Sequence, residues 1–101
     1  MRILSLAALR EFWEREHLAE EVLLDFYAKL SKVESQNLAE LKMTFPSVDL
    51  VGQCYVFNVG GNKYRVITRI HFNRRMVFIR FVLTHREYDK EKWKSECQRR
   101  K

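Results

Sequence analysis

Cys54-Tyr55-Val56-Phe57-Asn58-Val59-Gly60-Gly61-Asn62-Lys63-Tyr64-Arg65-Val66-Ile67-Thr68-Arg69-Ile70-His71-Phe72-Asn73-Arg74-Arg75-Met76-Val77-Phe78-Ile79-Arg80-Phe81-Val82-Leu83-Thr84-His85 is the stretch whose reading decides the fold. It reads as three strands, Cys54–Val59, Lys63–Phe72 and Met76–Thr84. Their β-branched and aromatic residues suit a pleated, half-buried surface. The joints, Gly60-Gly61-Asn62 and Asn73-Arg74-Arg75, carry the residue types that accept positive φ. An antiparallel meander follows. A four-residue loop at Gly60–Lys63 pairs Val59 with Tyr64, Asn58 with Arg65 and Phe57 with Val66. One face then holds Tyr55, Phe57, Val59, Tyr64, Val66, Thr68, Ile70 and Phe72, which makes it the core face. The second holds Cys54, Val56, Asn58, Arg65, Ile67, Arg69 and His71. A three-residue loop at Asn73–Arg75 adds Val77, Ile79, Phe81, Leu83 and His85 to that second face. Arg80 is then left on the core face, its stem along apolar surface. A slip of one residue in either turn would exchange the faces of the strand concerned.

Working outward, Arg2–Leu4 reads as a short edge strand. Ser5 is placed to cap a helix over Leu6–Glu16, with Leu6, Leu9, Phe12 and Trp13 at helical spacing. Leu18-Ala19 breaks the pattern. A second helix is expected over Glu20–Val33, its stripe Val22, Leu23, Phe26, Tyr27 and Leu30. Glu20 and Glu21 at its start and Lys29 and Lys32 at its end match the helix dipole. The two helices are expected as a hairpin on the core face. Ser35-Gln36-Asn37 is a break, Leu38–Lys42 a turn or two of helix, and Thr44–Asp49 irregular around Pro46. Beyond the meander, Thr84 or His85 begins a turn and Glu87 to about Cys97 forms a short terminal helix. Gln98–Lys101 is expected as a frayed basic tail. No repeat or internal boundary divides the chain. The reading is one α+β domain over 1–101.

The 101 residues suffice for one core. Hydrophobic residues at 47% and charged residues at 32% place the chain among globular rather than disordered proteins. No apolar run approaches the roughly 20 residues that cross a bilayer, so no membrane association is expected. Met1–Leu6 is too briefly apolar for a signal peptide, since Arg10 and Glu11 follow, and a cytoplasmic protein is expected. Cys54 and Cys97 form neither a disulfide framework nor a metal spacing, and are expected as buried or idle thiols. A net charge of +6 draws anions: nucleic acid, ribosomes or an acidic protein.

Several chemistries lack their residues. Gly60-Gly61 has no surrounding nucleotide-loop pattern. His17, His71 and His85 have no zinc spacing, and no carboxylate cluster near the meander suits magnesium. No serine or cysteine sits in a nucleophile motif. What remains is a basic, histidine-bearing sheet face with a tyrosine just past its end. That set suits cleavage of RNA by its own 2′-hydroxyl, for which the protein orients the nucleophile, moves protons and stabilises a charged phosphorane. Arginine binds phosphate through a planar fork, histidine exchanges protons near neutrality, and tyrosine stacks on a base or donates a proton.

Tyr55-Val56-Phe57-Asn58-Val59-Gly60-Gly61-Asn62-Lys63-Tyr64-Arg65-Val66 and Thr84-His85-Arg86-Glu87-Tyr88-Asp89 resemble the signature of HigB-family toxins. So do Leu41-Lys42 with Phe45-Pro46-Ser47-Val48-Asp49, and Arg2-Ile3-Leu4-Ser5 with Leu9-Arg10-Glu11-Phe12-Trp13-Glu14. The likeness reaches about Lys92. It implies a RelE-like fold, with an N-terminal helical hairpin packed on a twisted antiparallel sheet. It also implies an mRNA interferase acting on the ribosome with no metal or other cofactor, and a HigA-type helix-turn-helix antitoxin as partner. By the same resemblance Arg65 falls at a phosphate-binding arginine, His85 near a last-strand arginine or histidine, and Tyr88 near a base-stacking aromatic. Asn58 stands where many relatives carry lysine, which leaves the identity of the general base open. The catalytic set implied is Arg65, His85 and Tyr88, with His85 favoured as base. Lys42, Asn58, Lys63, Arg69 and His71 are the expected further RNA contacts. Two other readings stand beside it: an RNA- or ribosome-binding module that blocks translation without cutting, and an antitoxin-binding regulator without nuclease activity.

Overall fold

A computed structural model describes residues 1–98; the expected basic tail lies, beyond Gln98, outside them. The chain runs β1 (Arg2–Leu4), α1 (Leu6–Arg15), a 3₁₀ turn (His17–Ala19), α2 (Glu20–Ser31), α3 (Leu38–Thr44), β2 (Asp49–Val51), β3 (Cys54–Val59), β4 (Tyr64–His71), β5 (Met76–Thr84), α4 (His85–Asp89) and α5 (Lys94–Cys97). The strands form one mixed sheet in the order β1-β5-β4-β3-β2, with β1 parallel to β5 and the other pairs antiparallel. The α+β architecture expected from the sequence is therefore present, with the helical hairpin on one sheet face.

The β3–β4 hairpin has the expected register: Val59 faces Tyr64, Asn58 faces Arg65 and Phe57 faces Val66. Its turn needs positive φ at Gly60, Gly61 and Asn62. A Cβ on Gly60 would also press on the Tyr64 ring at 3.1 Å. Leu9 and Phe12 of α1 and Leu23, Phe26 and Leu30 of α2 close over Phe57, Val59, Tyr64 and Val66. Phe26, Phe45 and Phe57 meet edge to face at centroid distances of 5.1–5.7 Å, the geometry that ring quadrupoles favour.

Several expectations need correction. Val77 and Ile79 lie in this helix-covered core, not on the opposite face. The cause is the turn: it spans four residues, Phe72–Arg75, not three, so His71 faces Met76 and Val77 falls opposite core-facing Ile70. A β-bulge at Arg80, where Thr68 pairs with Ile79 but Ile67 with Phe81, then returns Phe81 and Leu83 to the expected face. Arg80 for its part is exposed and meets Glu96 on the face away from the helices. Ser5 is not a side-chain cap; it takes a left-handed conformation (φ 70°) as the chain leaves β1 for α1. The end of the irregular stretch forms an edge strand, Asp49–Val51. The expected terminal helix is two pieces, because Glu91 adopts φ 60° between α4 and α5. Elsewhere Asn37 caps α3, its side-chain oxygen accepting the Glu40 N–H at 2.9 Å.

Cys54 and Cys97 are buried as expected but are not thiols. They form a disulfide between β3 and α5, with 5.3 Å between their Cα atoms. The reversal at Lys90–Glu91 turns the chain back across the sheet and brings a residue 43 positions away onto β3.

Candidate nucleic-acid interface

The sheet face away from α1 and α2 is not open along its length. Its middle is a second, smaller core of Cys54, Val56, Ile67, Trp93 and Cys97, flanked by Val51, Phe81, Leu83 and Tyr88. The covering segment, Trp93–Cys97, is tied down three ways. The disulfide holds it, the Cys97 carbonyl accepts the Gln53 N–H at 2.8 Å, and the Trp93 indole N–H donates to the Tyr88 carbonyl at 2.9 Å. Gly52 makes the approach possible, since a Cβ there would lie 2.5 Å from the Cys97 carbonyl oxygen. Polar groups therefore collect at the two ends of this face. Arg65 and Arg69 are four residues apart on β4, about 13 Å along a strand.

At the first end the hairpin tip meets α4. Thr84 and Glu87 form a capping box: the Thr84 hydroxyl accepts the Glu87 N–H at 3.2 Å, and the Glu87 carboxylate accepts the Thr84 N–H at 3.0 Å. The Thr84 N–H, aided by Arg15 at 3.5 Å, holds the Glu87 carboxyl below the usual glutamate range against an opposing effect of burial. This cap fixes the start of α4, where the His85 N–H donates to the Lys63 carbonyl at 3.0 Å. Asn62, Lys63, Arg65, His85 and Tyr88 are gathered there. The His85 imidazole is half exposed, its Nε2 3.4 Å from the Asp89 carboxylate one helical turn on.

Arg65 is buried, and much of its fork is committed. Nη1 donates to the carbonyls of Asn62 (3.2 Å) and Tyr64 (3.3 Å), and Nη2 to Asn62 Oδ1 at 2.6 Å. Its Cζ lies 4.9 Å from the centre of the Tyr88 ring. Trp93 also stacks on that ring, at 4.9 Å and 15°. Two groups therefore already engage the Tyr88 ring, and a nucleobase stacking there would compete with them.

At the other end Arg69, His71, Phe78, Arg80 and Glu96 line a cleft of about 310 Å³. Arg69 Nη2 donates to the Glu96 carbonyl at 3.2 Å, Arg80 pairs with the Glu96 carboxylate, and His71 meets the Phe78 ring edge to face. The Nε of Arg69 is buried with no hydrogen-bond partner among the described residues. Of the remaining expected contacts, Lys42 lies apart from both ends and Asn58 sits opposite Arg65 across the β3–β4 pair. Lys42 is exposed on α3, whose neighbouring Leu41 belongs to the core on the helical side. Asn58 is exposed and shares a groove with Val22, Asp25, Phe26 and Lys29. Among the described residues no three His, Cys, Asp or Glu side chains converge as a metal ion would require, and no helix is long and apolar enough to cross a membrane.

Sequence reasoning missed four participants: Asn62, which grips Arg65; Trp93, stacked on Tyr88; Asp89, beside His85; and Glu96, between two arginines. Of these only Asp89 had a usable signal, its position four residues after His85 on a helix.

Residues 19–91, most of the chain, match the family model described as HigB_toxin, the RelE-like toxic component of a toxin–antitoxin system. The chain belongs to the HigB toxin family. The mRNA interferase toxin HigB of Escherichia coli strain K12 is 36% identical over 94 residues, covering 88% of each chain. The mRNA interferase HigB of Shigella flexneri matches to the same extent, and that of Escherichia coli O6:H1 is 30% identical over 93 residues, covering 89% of this chain and 90% of its own. The matched region contains the whole first-end cluster of this HigB-family chain and Arg69, His71 and Arg80 of the second, but stops before Trp93 and Glu96.

Proposed function

We propose that this chain is an mRNA endoribonuclease, the toxin of a toxin–antitoxin pair, which cuts mRNA on the ribosome by attack of the substrate's 2′-hydroxyl on the adjacent phosphate. Its family and its likeness to mRNA interferases support this reading. The structural observation that carries it is the junction of hairpin tip and α4. There an exposed imidazole, a buried guanidinium and a phenol stand beside Lys63.

In this proposal His85 takes the 2′-hydroxyl proton through its solvent-facing imidazole, and Asp89 steadies the imidazolium that forms. The 2′-oxygen bonds to phosphorus and the bond to the 5′-oxygen breaks. The Tyr88 hydroxyl supplies the proton to that leaving oxygen, so the products are a 2′,3′-cyclic phosphate and a 5′-hydroxyl. Arg65 faces the phosphorane with the donors it has left, Nε–H and one hydrogen of Nη2, while Asn62 fixes its plane. Lys63 adds charge from the tip. Asn58, opposite Arg65, and Arg69 and His71, with Lys42 more remotely, contact flanking nucleotides. No metal or cofactor enters the reaction. A HigA-type helix-turn-helix antitoxin neutralises the toxin, which acts in the cytoplasm.

The test is the mapping of mRNA 5′ ends in cells after induction. Discrete new ends are expected with the wild type and not with His85→Ala or Arg65→Ala at equal folded protein level. Growth arrest with intact mRNA would instead favour a translation-blocking module, and absence of any effect a regulatory protein.

A further inference from the structure

The segment that closes the far sheet face has an unusual choice of side chains. Trp93 lays a flat ring on Tyr88, 4.9 Å away and nearly parallel, as a nucleobase would. Three residues on, Glu96 offers its carboxylate to Arg80 and its carbonyl oxygen to Arg69, as a phosphate would offer two oxygens. One strap thus fills an aromatic platform at one end of the face and a pair of guanidiniums at the other. It is held by a single covalent link, the Cys54–Cys97 disulfide. Its other ties are the Gln53 N–H, the Trp93 indole N–H to the Tyr88 carbonyl and the burial of the Trp93 ring.

We propose that Trp93–Cys97 is an internal plug, a protein imitation of a short RNA strand, and that the disulfide makes its release redox-dependent. The inference rests on the proposed RNA-cutting function and deepens it by assigning a regulation to the same face. With the disulfide closed, Trp93 and Glu96 stay at a high effective concentration over Tyr88, Arg69 and Arg80, and an RNA strand must compete with them. A dithiol reductant opens the lock. Its thiolate attacks one sulfur of the disulfide, the S–S bond breaks, and a mixed disulfide forms. The second thiol of the reductant then displaces the protein sulfur. The reductant leaves as a cyclic disulfide, having given two electrons and two protons, and Cys54 and Cys97 become thiols. Both sulfurs are buried, so attack follows fraying of the short α5, and opening is slow. Once the link is gone, only non-covalent ties hold the plug: the Gln53 N–H, the Trp93 ring with its indole N–H, and the two arginines on Glu96. RNA bases and phosphates can displace them.

The experiment measures binding of a short single-stranded RNA, 2′-O-methylated so that it cannot be cut, by fluorescence anisotropy over a range of salt concentrations. The full chain is compared air-oxidised, in dithiothreitol, as Cys97→Ser, and as oxidised Glu96→Gln, with thiol alkylation and mass spectrometry reporting the bond. Reduction and Cys97→Ser are expected to tighten binding at least tenfold. They should also steepen the salt dependence by about 1.4 in log K against log salt, as two more phosphate contacts form. Glu96→Gln should gain much of this while keeping the disulfide, which separates release of the plug from any general loosening. Equal affinity and equal slope in oxidised and reduced protein would overturn the inference, as would free thiols in the air-oxidised, folded chain. If both forms cut unmodified mRNA equally, the plug fails and the proposed function stands. If neither form binds or cuts RNA, both fail.

Discussion

The disulfide makes a quantitative demand on stability that is separate from any effect on RNA. It joins residues 43 apart. Closing a loop of that length removes chain entropy from the unfolded state worth about 4 kcal/mol at 25 °C, if native strain is small. A chain of 101 residues gains roughly 0.2 kcal/mol per kelvin of entropy on unfolding near 60 °C, so the expected loss is about 15–20 °C in Tm. Native contacts set a further bound. Gln53 donates to the Cys97 carbonyl, Gly52 leaves it room and Trp93 is buried, so the closed strap fits the fold and most of the entropic gain should be realised. The assay is differential scanning calorimetry of the oxidised chain with and without dithiothreitol, with Cys97→Ser as a second route to the open form. A fall below about 4 °C, the shift for a single kcal/mol, with bond closure verified by mass, would refute the reasoning. It would mean that the strap adds no constraint to the fold.

Four further outcomes follow from the packing and the cap. Phe57→Ala removes the ring shared by Phe26 and Phe45 from a fully buried site, and should cost about 3–5 kcal/mol in urea denaturation. Ile79→Ala should cost about 2–5 kcal/mol, while Arg80→Ala, at the exposed bulge residue, should cost far less; equal losses would contradict the bulge. Thr84→Ala should destabilise by about 1 kcal/mol through loss of the α4 cap. The Glu87 carboxyl titrates lower in the folded chain than in the unfolded one. Its contribution is therefore complete above the unfolded value of about 4.3, and is lost as pH falls through the lower folded value. Glu87→Gln should remove that acid-side slope, and stability followed against pH by circular dichroism checks it.

How much was legible follows from which interactions are local. The β3–β4 register could be read because Gly60-Gly61-Asn62 fixes the turn and the alternation does the rest. The helices could be read from their stripes. The four-residue turn at Phe72–Arg75 and the bulge at Arg80 could not, because no glycine marks either; the turn puts Val77 and Ile79 under the helices and the bulge returns Phe81 and Leu83 to the other face. The disulfide was hidden for a related reason. Two cysteines 43 residues apart say nothing until Glu91 turns the chain back over β3. That same reversal covers what alternation alone presented as an open basic face. The residue types of the first-end cluster were visible in Lys63, Arg65, His85 and Tyr88. Their connections were not, since Asn62 under Arg65 and Trp93 on Tyr88 are tertiary contacts.

The central claim is that the substrate supplies its own nucleophile. The direct measurement uses an mRNA whose cut position has been mapped on translating ribosomes, resynthesised with one 2′-deoxy nucleotide on the 5′ side of the scissile phosphate. The account predicts that this single replacement abolishes cutting there, while the unmodified message yields a 2′,3′-cyclic phosphate and a 5′-hydroxyl with EDTA-treated, ribosome-controlled enzyme. Continued cutting of the 2′-deoxy message at the same phosphate would contradict it.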